Sequence, residues 1–326
     1  VRIRSACDTA DASNILANVP DGTSLSRTGK NADWTRIQWE GKTGYISTAY
    51  ISETAKQKKT QISAGSSSQG GAIAENGRQV LLDPNWDYAE FAKITSGTAV
   101  LYQSQTAERK NLTICVNAGH GTKGGASVKT QCHPDGSPKV TGGTTGAGAV
   151  TAAAVSGGMT FDDGTPESSV TLSMALILKD KLLAKGYDVL MIRETEDVQL
   201  DNIARTLIAN NASDCHIALH WDSTSSNKGA FYMSVPNNAA YRNMEPVKSN
   251  WQKHNALGES LVAGLKEKGV KIFSGGSMEM DLTQTSYSTV PSVDIELGDK
   301  ASDHSQAALK QLADGLAAGI DQYFAG

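Results

Sequence analysis

From Asn111 onward, short apolar runs of strand length alternate with long stretches patterned as helices. The runs are Leu112–Val116, Val189–Ile192, Ile217–Leu219, Phe231–Val235 and Val293–Leu297. Between them, Leu200, Ile203, Ala204, Leu207 and Ile208 carry the i, i+3, i+4, i+7, i+8 spacing of one helix face. Leu309, Leu312, Ala313, Leu316, Ile320 and Phe324 repeat that spacing at the C-terminus. Alternation of this kind predicts an α/β fold, a twisted and mostly parallel sheet flanked by helices on both faces. Open sheets of that class bind ligands just beyond the carboxyl ends of their strands. Chemistry is therefore sought there.

The first 53 residues read differently. Polar and apolar residues alternate through Val1–Arg4 and Thr35–Trp39, with turn chemistry at Asp21-Gly22 and Glu40-Gly41. The stretch Trp34-Thr-Arg-Ile-Gln-Trp-Glu-Gly-Lys-Thr-Gly-Tyr45-Ile46 resembles the signature of bacterial SH3-like domains. That resemblance implies a small all-β barrel, of the kind that holds hydrolases on peptidoglycan. Residues 54–78 follow with a lysine cluster and a Ser/Gly-rich run, the composition of a flexible linker. The expected organisation is thus 1–53 wall-binding domain, 54–78 linker and 79–326 catalytic domain.

Composition narrows the class. A net charge of −4 argues against a nucleic-acid protein, which would show a basic stripe. No run reaches the about 18 apolar residues of a membrane span. The start at Val1 reads as a mature or trimmed chain, so a missing leader says nothing of destination. The four cysteines are too few for a disulfide framework, and Cys115 and Cys215 read as buried thiols within strands.

Two histidines fall at strand ends. His120 follows the first run through Asn117-Ala-Gly119 and precedes Gly121, small neighbours that let the backbone turn and leave the imidazole open. His220 closes the run Cys215-His-Ile-Ala-Leu219. Each alone reads as a structural histidine; equivalent placement at two strand ends makes a shared metal the better joint reading. Glu167 lies in Thr165-Pro166-Glu167, where Thr165 is the expected N-cap, Pro166 the first helical residue and Gly186 the stop. By itself Glu167 reads first as a complement to the helix dipole. It would equally be held ionised, as a metal ligand must be.

Five ordered blocks then bear on the choice: Val116-Asn-Ala-Gly-His-Gly121, Glu167-Ser-Ser-Val-Thr-Leu172, Gly186-Tyr-Asp-Val-Leu-Met-Ile-Arg193, Ile217-Ala-Leu-His220 and Pro291-Ser-Val-Asp-Ile-Glu-Leu-Gly298. Together, over Leu112 to Phe324, they resemble the zinc-dependent N-acetylmuramoyl-L-alanine amidases of the type-3 family. The resemblance implies that His120, Glu167 and His220 bind Zn2+ and that Glu296 is the catalytic glutamate. It implies peptidoglycan, both glycan strand and stem peptide, as partner, and a location outside the cell or on its wall. Arg193 and Arg205 also match and are assigned to structural pairing.

Other features are weighed against that reading. The long segment from Gly121 to Pro166 contains Gly142-Gly-Thr-Thr-Gly-Ala-Gly148, which lacks the Gly-Lys-Ser/Thr ending of a phosphate loop. It is expected to be a lid or a wall of the substrate groove. Cys132-His133 within it offers an extra metal ligand in principle. His216 is expected to be buried and hydrogen-bonded, and Trp221 to contact glycan or peptide. A zinc carboxypeptidase is the enzymatic rival, but such enzymes place a glutamate three residues after the first histidine, where Lys123 stands. A non-catalytic wall-binding protein is the other alternative.

Overall fold

The computed structural model describes residues 2–8, 12–19, 26–30, 33–39, 42–48 and 76–325. The chain divides into two units, Val1–Ile62 and Ser63–Gly326. The linker expected over 54–78 lies outside the described residues as far as 75.

In the first unit, β1 (Arg2–Arg4), β2 (Ile15–Asn18), β3 (Ser26–Lys30), β4 (Trp34–Trp39) and β5 (Lys42–Ser47) form one sheet. The order is β2-β1-β5-β4-β3, antiparallel throughout. Its core is small: Ile3, Val19, Ile37 and Ile46. Gly44 sits against that core, where an added Cβ would lie 2.6 Å from Ile3 Cγ2. Barrel closure is not seen among the described residues.

The second unit contains β6 (Arg78–Val80), β7 (Ala99–Tyr102), β8 (Thr113–Ala118), β9 (Lys129–Gln131), β10 (Thr151–Ala153), α1 (Glu167–Ala184), β11 (Asp188–Met191) and α2 (Asn202–Ala212). It continues with β12 (Cys215–Asp222), β13 (Ala230–Ser234), α3 (Ala239–Arg242), α4 (Val247–Glu267), β14 (Ile272–Glu279), α5 (Thr283–Tyr287), β15 (Ser292–Asp299) and α6 (Gln306–Ala325). Eight strands make the main sheet in the order β14-β13-β15-β12-β8-β11-β7-β6. The central four, β15-β12-β8-β11, are parallel. Antiparallel pairing begins at β13 on one side and at β7 on the other. The sheet is therefore mixed, with four parallel and three antiparallel pairings and an all-parallel centre.

Strand alternation sorts the side chains by face. Ile217, Leu219 and Trp221 of β12 join Val293, Ile295 and Leu297 of β15 in the larger core, under α1, α4 and α6. Cys115 and Leu190 face the other way, onto Ala204 and Ile208 of α2. Helices α4 and α6 meet through glycines: a Cβ on Gly264 would lie 2.3 Å from the Gly319 nitrogen. Any side chain there would push the pair apart and uncover leucines such as Leu261 and Leu316, each worth roughly 1.5–3 kcal/mol when buried.

The local starts and stops follow known rules with one shift. Asp201 caps α2 by accepting from the Ala204 amide at 2.8 Å. Helix α1 ends before Gly186, which takes φ +90° as its stop position requires. At its start, however, Pro166 rather than Thr165 is the N-cap, with φ −66° and ψ 138°. The amide of Glu167 donates to the Met159 carbonyl at 3.0 Å, so the preceding loop holds that end.

Candidate metal centre

Strand β8 runs out at Ala118, and the chain turns through Gly119, His120 and Gly121. His120 itself takes φ +63°, a conformation that costs a residue with a Cβ about 1–3 kcal/mol. Two fully buried arginines hold it there. Arg205 donates to the His120 carbonyl at 2.7 Å and to the Ala118 carbonyl at 3.2 Å. Arg193 donates to the Gly119 carbonyl at 3.0 Å and the Ser168 carbonyl at 2.8 Å, tying the turn to the first turn of α1. The expected structural pairing is thus chiefly with carbonyl oxygens, joined by the Thr171 and Thr122 hydroxyls.

Three side chains converge above this turn. His120 Nε2 lies 2.9 Å from Glu167 Oε1, His220 Nδ1 lies 3.2 Å from the same oxygen, and the two ring nitrogens are 3.0 Å apart. Donors each about 2.0–2.1 Å from one tetrahedral ion would stand about 3.3 Å from one another. The spacing fits such an ion. Among the described residues no other trio of histidine, cysteine or carboxylate side chains converges this way.

The surroundings fix these side chains. The His120 Nδ1 position meets the Ser156 carbonyl at 2.9 Å, which sets that nitrogen as the N–H and leaves Nε2 its lone pair. Glu167 accepts from the Met159 amide at 2.8 Å and the Trp221 amide at 3.0 Å. Glycines leave the necessary room. A Cβ on Gly119 would fall 2.2 Å from His220 Cε1, and one on Gly158 would fall 2.8 Å from His120 Cδ2.

Electrostatics favour a cation. Burial alone would raise the Glu167 pKa, yet the imidazoles of His120 and His220 beside it hold it well below the ordinary carboxylate range. Burial would lower that of His220, but Asp294, Glu167 and Glu296 push it up to about 10. Glu296 stands beside His220 across the β12–β15 ladder and is 9% exposed. Burial, with Asp294 nearby, raises its carboxyl well above the usual range. Asp294 Oδ1 and Glu296 Oε2 are buried with no hydrogen-bond partner. Three carboxyl groups and two imidazoles line one pocket, and a divalent ion there would lower these raised values and favour the ionised carboxylates. The donor set of two histidines and one glutamate suits zinc, which takes nitrogen and carboxylate ligands and leaves a fourth position open at reactive centres.

Other expectations resolve differently. Trp221 is 2% exposed and packs against Phe161, so it is a core residue instead of a substrate contact. The alternation Ile217, Leu219, Trp221 already assigns it to the buried face, opposite His220. His216 is buried, lies 3.1 Å from the Asn117 side-chain amide, and burial drops its pKa to about 3. His133 is away from the trio: its Nε2 lies 3.0 Å from Asp281 Oδ2 and its Nδ1 2.9 Å from Ser137 Oγ. Asp281 also accepts from Lys139, Val140 and Thr141, which makes this a knot pinning the 121–166 segment. That segment carries the β9–β10 hairpin and returns to the centre with Ser156, Gly158 and Met159, contacts that sequence reasoning missed. Cys115, Cys132 and Cys215 are buried free thiols.

A parallel-centred sheet with two histidines and a glutamate gathered at its strand ends is the layout used by hydrolytic metal centres. The chain belongs to the N-acetylmuramoyl-L-alanine amidase family, whose model matches residues 114–322. Among solved structures, the N-acetylmuramyl-L-alanine amidase Ami1 from Mycobacterium smegmatis is similar at 21% identity and TM-score 0.50, over 66% of this chain and 97% of that one. Ami1 from Mycobacterium abscessus has 21% identity and TM-score 0.49, over 66% and 99%. An N-acetylmuramoyl-L-alanine amidase from Clostridium difficile 630 has 17% identity and TM-score 0.46, over 66% and 97%. At these identities the likeness is one of fold. No curated protein matches the sequence.

Proposed function

We propose that this chain is a zinc-dependent peptidoglycan hydrolase that cleaves the amide between N-acetylmuramic acid and the L-alanine of the stem peptide. In this reading His120, Glu167 and His220 hold the ion and Glu296 moves the proton. The observation that carries it is the convergence of three donor atoms within 4.8 Å of one another, with Glu296 alongside His220.

Zinc held there would polarise the amide carbonyl and acidify a water in the open position. The remaining work falls to the chain. Glu296, buried and unpaired through Oε2, takes the proton of the attacking water. It returns that proton to the alanine nitrogen as the C–N bond breaks. Arg193 and Arg205 keep the His120 turn in place, and the Met159 and Trp221 amides hold Glu167 ionised. Residues 1–53 serve as the wall-binding module, residues 54–78 as its linker and residues 79–326 as the catalytic domain. The protein works outside the cell or on its wall. Among the described residues no helix is long and apolar enough to cross a membrane.

The test is metal analysis joined to identification of the products from purified peptidoglycan. The native protein should carry close to one zinc per chain, and His120→Ala and His220→Ala should lose it. New N-terminal alanine supports the amidase. Release of a C-terminal amino acid would make it a carboxypeptidase, and no release from a zinc-loaded chain would make it a binder.

A further inference from the structure

A histidine that binds metal through one ring nitrogen presents the other to its surroundings, and the group met there fixes the ring. His120 and His220 solve this in opposite senses. His120 offers Nε2 to the centre and anchors Nδ1 on the Ser156 carbonyl. His220 offers Nδ1 to the centre, and its Nε2 lies 3.6 Å from Asp294 Oδ2. Among the described residues no other hydrogen-bond or ion partner reaches that nitrogen.

Asp294 comes from β15, where it is in register with Ala218 while Glu296 is in register with His220. The small alanine leaves the space beside it to the carboxylate, one ladder step below the histidine. The position is costly for an acid. Its side chain is 16% exposed, Oδ1 has no partner, and the flanking Val293 and Ile295 are core residues. A carboxylate so placed costs free energy unless a charge or a donor compensates it. An apolar side chain would pack there without that cost. The 3.6 Å separation is a few tenths of an ångström beyond a direct N–H···O bond.

We infer that Asp294 is a positioning residue, which receives the His220 Nε2–H and so holds Nδ1, with its lone pair, towards the ion. The inference rests on the metal reading above and adds to it a residue that touches neither substrate nor ion. Asp294 acts on the rotation and tautomer of one ligand, as the Ser156 carbonyl acts on the other.

The test measures zinc affinity of the full chain by competition with a chromophoric chelator, for the native protein, Asp294→Asn and Asp294→Leu. Both variants should fold, because each removes a buried charge. Their zinc dissociation constants should rise about 10–100-fold. Their metal-free thermal midpoints should stay level or rise. In the zinc-loaded native protein the His220 Nε2–H proton should resonate far downfield, and Asp294→Asn should move it upfield, a change that a packing role would not produce. Folded variants with native zinc affinity overturn the inference. So does failure of both to fold, which would make Asp294 a packing residue. A native chain that takes up no zinc is a different outcome, since it removes the metal reading itself and this inference with it.

Discussion

Arg205 Nη2 donates to the backbone carbonyl of His120 at 2.7 Å, so the guanidinium grips the histidine's main chain and not its ring. The same side chain bonds the Leu200 carbonyl at 3.0 Å, the Asn117 side-chain oxygen at 3.1 Å and Thr122 Oγ1 at 2.8 Å. A single buried cation thus joins the end of β8, the start of α2 and the turn that presents His120. Arg205→Met would leave several buried acceptors without donors. Unfolding free energy should fall by at least about 3 kcal/mol, since each such acceptor costs about 1–3 kcal/mol. Denaturant titration reads the loss, and zinc content should fall with it. Arg205→Lys should recover only part, because a point ammonium cannot reach acceptors spread around a planar fork. Native stability in the methionine variant would refute the gripping role.

Gly157 and Gly158 make a paired test of room at the centre. A Cβ on Gly157 meets nothing within 4 Å, whereas one on Gly158 meets His120 Cδ2 at 2.8 Å and Glu167 Oε2 at 3.0 Å. Gly158 also takes φ +81°. Gly158→Ala should destabilise by about 1–3 kcal/mol and weaken zinc binding, while Gly157→Ala should be close to native in both. Calorimetry and chelator competition measure the contrast. Equal behaviour of the two variants would show that the ligands are not confined there.

Glu296→Gln separates proton transfer from metal holding. The variant should fold, keep zinc and lose at least about a hundredfold in turnover of a soluble muramyl peptide. Loss of zinc would instead make Glu296 a ligand, and near-native turnover would take it out of the mechanism.

Asp281 gives a prediction in pH. Although burial would raise its pKa, hydrogen bonds from His133 and Thr141 hold it well below the ordinary aspartate value of 3.8. A carboxylate depressed in the folded state adds stability above its unfolded pKa, and that stability fades as pH falls through the folded value. The native protein should therefore exceed Asp281→Asn in stability at neutral pH, by about 3 kcal/mol for a buried charge pair broken at Lys139. The gap should narrow steadily below pH 3.8, as urea unfolding across the acid range can follow. A gap that stays constant into acid would mean that the carboxylate's charge is not what matters.

The parts of the fold legible in the sequence are those where one pattern dominates locally. The four central strands are apolar runs, and α2 and α6 show one clear helical face, so tertiary packing and local pattern agree. Strand β14 reads Ile-Phe-Ser-Gly-Gly-Ser-Met-Glu and lies at the sheet edge, where no second face demands apolar residues; its two glycines hide it. Strands β6 and β7 turn the sheet mixed through pairings that carry no local signal. At the site, His120, Glu167 and His220 stand on motifs. The carbonyl of Ser156 and the amides of Met159 and Trp221 belong to the backbone, which every residue has, so no residue type could announce them. Trp221 adjoins His220 in sequence, but the strand's period of two sends it to the core.

The segment from Gly121 to Pro166 is anchored near its middle by the Asp281 knot and returns, towards its end, with Ser156, Gly158 and Met159 against His120 and Glu167. It cannot then be treated as an interchangeable cassette. A graft that replaced it whole would discard the group that sets the His120 tautomer and one of the two amides on Glu167. Reshaping the enzyme's preference by exchanging this stretch would have to stop short of Ser156 and spare His133 and residues 139–141, varying only the hairpin residues outside the knot.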